Sequence, residues 1–412
     1  MTPGTMLEQI TDFANRADPY PLYAELRKTP VAPQDDGSYL VSTYREILAL
    51  LHDPRISSDL RNRTRYDPDS PDAAQPPTLI KLDPPEHDTL RRQAMRPFGP
   101  PHSPGRIEGM HAELAEISSG LIDGLMGRGR LDIVDDFAYP FPVTVICRVL
   151  GVPREDEPRF HVWAEALVEA IDPSPGEDPG ERQRRSRRAR VEIAQYMAGL
   201  IEQRRRSPRD DTLSGLVHDD GPDGPMAPVD MIINSVLLLV AGHETTVNLI
   251  TNGMLTLLRH PDVLERLRRE PGLMPRAVEE LLRYEPPIQL LPQRTPLSEI
   301  EIGGVTIPEG APLTLVLASG SRDPSRFRDP DRFDPARQDN EHFGFGSGVH
   351  SCFGAPLARL EVQLALNQLI HRLELPRLVE DPPPYRRNPV LRGPRHLLVE
   401  CAGVRAESRT QR

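Results

Sequence analysis

Residues Phe345 to Gly354 read Phe-Gly-Ser-Gly-Val-His-Ser-Cys-Phe-Gly, and they constrain this 412-residue chain more tightly than any other stretch. Gly346, Gly348 and Gly354 allow backbone geometry and close approach that a side chain would block. The run that follows, Ala355-Pro356-Leu357-Ala358-Arg359-Leu360-Glu361, is helix-forming. Cys352 thus lies just ahead of a predicted helix N-terminus. Unpaired N–H groups and the positive end of the helix dipole favour thiolate over thiol there. Cys147 and Cys401 are the only other cysteines. Three in so long a chain argue against a disulfide framework and for a reducing compartment.

One thiolate with no second cysteine nearby suits haem iron, where a cysteine ligand pushes electron density toward O–O cleavage. His350 and Cys352 could also bind zinc, but structural zinc needs four ligands, commonly paired as C-x2-C or H-x3-H, and no such partner exists here. Covalent c-type haem needs C-x-x-C-H, which is absent. An inert structural cysteine after a Gly-rich turn stays open for the segment taken alone.

The chain has no Gly/Ser linker, repeat or low-complexity tract, and its 46 prolines point to rigid connections. We expect one domain over residues 1–412, with flexible tails at 1–17 and 403–412. The formal net charge of -11 argues against general nucleic-acid binding, and the basic run Arg182–Arg190 reads as a solvated helix face. The first twenty residues contain Asp12, Arg16 and Asp18 and no long apolar run, and Val236–Ala241 is too short to span a bilayer. A soluble cytoplasmic protein is the expectation.

Most of the chain reads helical. Helices are predicted over Pro19–Lys28, Tyr44–Leu51, Glu86–Phe98, Ile107–Met126, Phe137–Leu150, Glu155–Ile171, Glu181–Arg206, Val229–Arg259 and Pro271–Tyr284, with a last one after Cys352. Strand-like pieces are Tyr39–Ser42, Ile300–Ile302, Val305–Ile307, Leu313–Leu317 and His396–Cys401. The polar, Pro-rich Ser57–Pro77 reads as a long loop, and Pro173–Pro179 breaks the helical pattern. Ile232–Ala241 is apolar nearly all round, so its helix should be buried. Gly242 then costs that helix ~1 kcal/mol relative to alanine, but a small residue admits a flat ligand. Glu244 and Thr245 place an acid and an alcohol in this apolar setting.

Together these segments resemble the cytochrome P450 family from about Asp18 to Glu400. Phe345–Gly354 matches the family's haem loop, F-G-x-G-x-H-x-C-x-G, at every fixed position. Ala241–Thr246 resembles the oxygen-activation motif A-G-x-[DE]-T-T, Glu280 and Arg283 its E-x-x-R, and His87 and Arg91 its H-x-x-x-R. The resemblance implies a mainly α fold, a large helical body with small β-sheets and haem b buried between two long helices. It makes Cys352 the axial metal ligand. It places His87, Arg91, Arg294 and His350 at the haem propionates. Ala241, Gly242, Phe345, Gly346 and Gly354 also belong to the cofactor site by this resemblance.

By the same resemblance, Thr245 hydrogen-bonds dioxygen and Glu244 belongs to the proton path. Glu280, Arg283 and Arg332 are structural support for the haem loop. The substrate is a small apolar or amphipathic molecule, hydroxylated or epoxidised with one atom of O2. Polyketide, terpenoid, steroid and fatty-acid substrates all fit. Expected lining residues are Leu238, Ala241, Thr245, Ile288, Leu291, Val390 and Leu391, with the Ser57–Ile80 and Trp163–Arg185 regions. Electrons are expected from a ferredoxin and its reductase, docking near Arg92, Arg96 and Arg359 on a monomer. A peroxide-driven haem enzyme and a non-catalytic haem ligand-binding protein are the alternatives; the intact Glu244–Thr245 pair weighs against both.

Overall fold

The computed structural model describes residues 5–64, 66–67, 76–99, 102–171, 178–219 and 221–406. Parts of the expected loop regions, 65, 68–75 and 172–177, and the tail ends 1–4 and 407–412 lie outside them. The backbone divides into two compact units. The first comprises the chain up to Asp83, Leu255–Cys352 and Pro382–Arg395; the second comprises Pro84–Met254, Phe353–Asp381 and the chain from His396.

The first unit holds a five-stranded mixed sheet in the order Val31–Pro33, Tyr39–Val41, Leu313–Leu315, Leu291–Pro296, Ile56–Ser57. Tyr39–Val41 pairs parallel with Leu313–Leu315, and the other neighbours are antiparallel. The two-residue strand period sorts the apolar side chains. Val41, Leu313 and Leu315 pack with Ile47 and Leu50 of the helix Tyr44–His52 and with Phe343. Leu40, out of phase by one, packs with Ile10, Tyr23 and Leu26. Each such burial is worth ~1.5–3 kcal/mol.

This unit also buries an ionic network. Glu280 and Arg283 lie one turn apart on the helix Met274–Tyr284, and both are fully buried. Arg283 forks onto the Glu280 carboxylate with two bonds of 2.8 Å and donates to the carbonyls of Ser321 (3.1 Å) and Pro330 (2.7 Å). The third side chain is Arg337, whose Nε reaches both Glu280 oxygens at 3.2 and 3.1 Å. The expectation for Arg332 is corrected: it is exposed and contributes only its carbonyl oxygen, to Arg283 and Arg337, both at 3.2 Å.

The second unit is mainly helical. Helices Pro140–Leu150, Glu157–Ile171, Pro179–Arg206 and the larger part of Pro228–Arg259 form its body, with Ala355–Arg372 packed on His111–Asp123. Pro140, at a first-turn position, starts its helix after a separate turn at Val134–Ala138, later than the predicted Phe137. The predicted Ile107–Met126 helix is two, Pro104–Gly109 and His111–Asp123. In Pro179–Arg206, Ser186, Ala189, Ile193 and Met197 turn inward, while Arg184, Arg185, Arg187, Arg188 and Arg190 are exposed. Pro228–Arg259 is, among the described residues, the one helix long and apolar enough to cross a membrane, and more than half of its most apolar stretch is buried.

The described parts of both expected tails carry secondary structure. Residues Met6–Thr11 form a helix capped reciprocally by Thr5 and Glu8. Ile10 is buried, and the Arg16 guanidinium, also buried, donates to the carbonyls of Thr11 (3.1 Å) and Pro389 (3.3 Å). Near the other end, Gly403–Val404 pairs as a strand with Leu373–Glu374.

Candidate active site

Each unit carries part of the expected site. In the first, glycine geometry builds the cysteine loop. Gly346 and Gly348 take φ of +67° and +69°, open to glycine and costly to other residues. A Cβ on Gly348 would lie 2.1 Å from the Leu51 carbonyl oxygen, so this turn rests directly on backbone. Three backbone bonds close the loop: Gly346 N to Phe343 O (2.9 Å), Ser351 N to Gly348 O (3.1 Å) and Cys352 N to Phe345 O (2.9 Å). Cys352 is exposed. Cys147 is buried, and desolvation pushes its thiol far up; Cys401, half-buried, is raised by the same cause. Cys352 is therefore the most accessible of the three cysteines. The Phe345 ring, partly exposed, sits 6.3 Å from the His342 ring, and His350 closes the short turn Gly348–His350.

Arg294 is placed by a β-bulge. Leu291 pairs with Leu315 and Arg294 with Leu313, leaving two residues between them where the partner strand has one. Gln293 takes φ +71° in this bulge. Left-handed geometry costs a non-glycine residue roughly 1–2 kcal/mol, and bulges re-aim side chains next to functional sites. The Arg294 guanidinium forms no ion pair with a described residue; its Nη1 donates to the Gln293 carbonyl at 3.5 Å. Burial pushes its pKa down to about 10, against the pull of Asp83. A partly buried cation without a carboxylate is suited to an anionic ligand.

Four expected lining residues also meet in the first unit. Ile288 bridges to Leu391, Gln289 N donates to Val390 O at 2.9 Å, and Leu291 begins the next strand. All four side chains are partly exposed.

In the second unit, Leu238, Ala241 and Thr245 share one accessible face of the central helix, Pro228–Arg259, at the i, i+3, i+7 spacing. His243, Glu244 and Thr246 lie on the buried side. Thr245 Oγ1 donates to Ala241 O (2.7 Å) and Thr246 Oγ1 to Gly242 O (2.9 Å). Two such back-bonds in succession loosen the helix ladder. The Glu244 carboxylate accepts from Asn248 Nδ2 at 3.2 Å. His243 packs edge-on to Tyr139, ring centroids 4.4 Å apart, and its Nε2 lies 3.3 Å from the Tyr139 carbonyl. A Cβ on Gly242 would meet Ile146 at an ordinary 3.6 Å, so helix packing alone does not require glycine.

His87 and Arg91 share a face of Glu86–Phe98. His87 is buried with Nδ1 2.8 Å from Asp88, and Arg91 lies 5.9 Å over the ring of Phe353. Phe353 packs edge-on against Phe98; Gly354 follows as the N-cap of Ala355–Arg372. Trp163, within an expected substrate region, is core: it is buried, donates to Glu192 (2.8 Å), meets the Phe160 ring edge-on and the Tyr196 ring at a tilt, and lies under the Arg159 guanidinium. Arg92 and Arg96, expected at a docking surface, are ion-paired with Asp223 (2.7 Å) and Asp219 (2.6 Å).

Comparison with known proteins agrees with this chemistry. The family profile "Cytochrome P450" matches residues 72–400. PikC, a cytochrome P450 monooxygenase of Streptomyces venezuelae, is 40% identical over 394 residues, covering 93% of this chain and 90% of PikC. The 6-deoxyerythronolide B hydroxylase of Saccharopolyspora erythraea is 36% identical, covering 97% and 100%. Among solved structures, the P450 PksS of the Bacillus subtilis bacillaene polyketide synthase superposes with TM-score 0.85 at 31% identity, covering 95% of this chain and 99% of that one. The chain belongs to the cytochrome P450 family. It is a monooxygenase of the bacterial type with a haem whose iron is held by cysteine. Its residues fit that group, with an exposed sulfur on a glycine-built loop and a partly buried arginine lacking a carboxylate.

Proposed function

We propose that Cys352 is the axial ligand of haem b and that residues 1–412 form one P450 domain. The substrate is an apolar or amphipathic natural product, with polyketides first. The observation that carries this reading is the loop Phe343–Cys352, whose positive-φ glycines and backbone bonds present the one exposed cysteine. When bound, a cysteine-ligated haem supplies the redox chemistry that splits dioxygen, one atom to substrate and one to water.

The chain's own residues then hold, shield and deliver protons. The Arg294 guanidinium binds a propionate, as do His87, Arg91 and His350. Ala241 and Gly242 keep the central helix thin beside the cofactor, and Phe345, Gly346 and Gly354 shape the turn at the sulfur. Thr245 Oγ1 can turn from the Ala241 carbonyl to donate to dioxygen. The buried Glu244 carboxyl, steadied by Asn248, supplies the proton behind it. Leu238, Ala241, Thr245, Ile288, Leu291, Val390 and Leu391 line an apolar substrate, and the likeness to PksS of the bacillaene polyketide synthase supports a polyketide.

Electrons come from a ferredoxin and its reductase, and the enzyme works as a soluble cytoplasmic monomer. The retained acid–alcohol pair favours dioxygen over peroxide as the oxidant. The test is turnover of a macrolide panel with ferredoxin, reductase and labelled dioxygen. One labelled oxygen per product supports the reading. Product formed only with added peroxide, or none despite a substrate-induced spin-state shift, overturns it.

A further inference from the structure

Beyond Arg294, the first unit contains a second guanidinium of the same kind. Arg63 follows the 3-10 turn Leu60–Asn62, and its Nε is buried with no hydrogen-bond partner among the described residues. Its neighbour two residues earlier differs: Arg61 is paired with Asp59, through an Nε bond of 2.8 Å. Arg63, like Arg294, forms no ion pair with a described residue. Burial lowers the pKa of both, and each lies near enough for Arg63 to depress Arg294 further.

The backbone places them together. Ser57 pairs with Thr295, the residue after Arg294, and the chain leaves that pairing directly into Asp59–Arg63. The far end of the segment is pinned as well. Thr64 Oγ1 donates to Gly310 O (2.7 Å), and Gly310 N donates to Pro296 O (2.8 Å). Gly310 sits at φ +77°, and a Cβ there would strike Thr64 Oγ1 at 2.2 Å. Both ends of the Arg63 segment are thus fastened to the strand that carries Arg294.

The nearby acid does not satisfy this pair. Asp83 accepts from Ser57 Oγ, Ser58 N (2.8 Å) and Asn62 Nδ2 (3.3 Å), holding the turn rather than either arginine. Two half-buried guanidiniums with their one acid engaged elsewhere form a cradle for a carboxylate, which Arg binds with a planar fork. Charges half withdrawn from water in the folded chain are better matched by a resident anionic group than by a transient one, so a cofactor suits them better than a substrate. We propose that Arg63 and Arg294 together hold a haem propionate, with Arg63 a contact additional to those the motifs identify. This rests on the haem reading above.

The experiment uses purified holoenzyme of wild type, Arg63→Gln and Arg63→Lys. Each is assayed for haem transfer to excess apomyoglobin, for midpoint potential, and for binding of a fatty acid against its methyl ester. The carbon monoxide spectrum of wild type tests the haem reading separately. Arg63→Gln is expected to lose haem about tenfold faster, equivalent to ~1.4 kcal/mol. Its midpoint potential should fall, because a positive charge near the haem edge is gone. Arg63→Lys restores the potential and part of the haem retention. Unchanged haem loss and potential in both variants would overturn the inference. So would a selective loss of fatty-acid over ester binding with haem retention intact, which assigns the cradle to a substrate carboxylate. Should Arg63→Gln not fold, Arg63→Met replaces it: a lowered potential there with a wild-type potential in Arg63→Lys supports the cradle, and a wild-type potential in both contradicts it.

Discussion

Arg337→Ala separates the two arginines that could complete the buried Glu280–Arg283 pair. The Arg337 side chain is 11% exposed. It donates from Nε to both Glu280 oxygens, from Nη1 to Arg328 O (2.7 Å), and from Nη2 to Asp329 O (3.1 Å) and Arg332 O (3.2 Å). A hydrogen bond to a charged group contributes ~1.5–3 kcal/mol net, and removing one partner from a buried pair costs ~3–5 kcal/mol. Arg283, Asp334 N and Asn340 still serve the carboxylate after truncation, which offsets part of the loss. About 2–4 kcal/mol is the expected cost, since the orphaned carbonyls add to the weakened ion pair. Arg332→Ala keeps the backbone oxygen and removes only an exposed side chain, so it should stay within ~0.5 kcal/mol of wild type. Urea titration of the three holoproteins, followed by circular dichroism and Soret absorbance, measures both. Equal midpoints for the two variants, or a larger shift for Arg332→Ala, would refute the network as described.

Other perturbations follow from the same contacts. Thr245→Ala should divert electrons from product into hydrogen peroxide while substrate still binds; Thr245→Ser should restore coupling in part, measured as product formed per reductant consumed. Gly348→Ala must push against the Leu51 carbonyl at a positive φ, so haem incorporation on expression should drop and stability fall by at least ~1 kcal/mol. Glu361 is fully buried, and desolvation holds its carboxyl well above the ordinary range. Its Oε2 has no hydrogen-bond partner among the described residues. A folded-state value raised above the unfolded one favours the native state below the unfolded value, ~4.3. That advantage is lost as pH rises through the folded value. Glu361→Gln should therefore gain stability relative to wild type with rising pH, and parallel pH profiles would contradict this.

The parts of the site that were legible in sequence are those whose chemistry leaves few alternatives. Two positive-φ glycines just ahead of one cysteine have a narrow range of geometries, and the structure closes that loop through Phe345 O and Cys352 N. The identity of the third arginine was not legible. Arg332 and Arg337 both lie in a Pro-bounded meander, and only the tertiary path of residues 328–334 decides which guanidinium turns inward. The short N-terminal helix was not legible for another reason. Met6, Leu7 and Ile10 make too short a stripe for periodicity to register, yet Thr5 and Glu8 form a capping box that marks a helix start. Arg63 carried no sequence signal, because its position depends on the pairing of Ser57 with Thr295 and on the hold of Gly310 on Thr64.

The central claim is that Cys352 binds haem iron as thiolate. Its most direct test is the carbon monoxide difference spectrum of the reduced protein, recorded beside Cys352→Ala. A strongly red-shifted Soret band in wild type that vanishes in the variant is the predicted result. A histidine-type band in wild type, or a red-shifted band that survives in Cys352→Ala, would contradict the assignment and the site built around it.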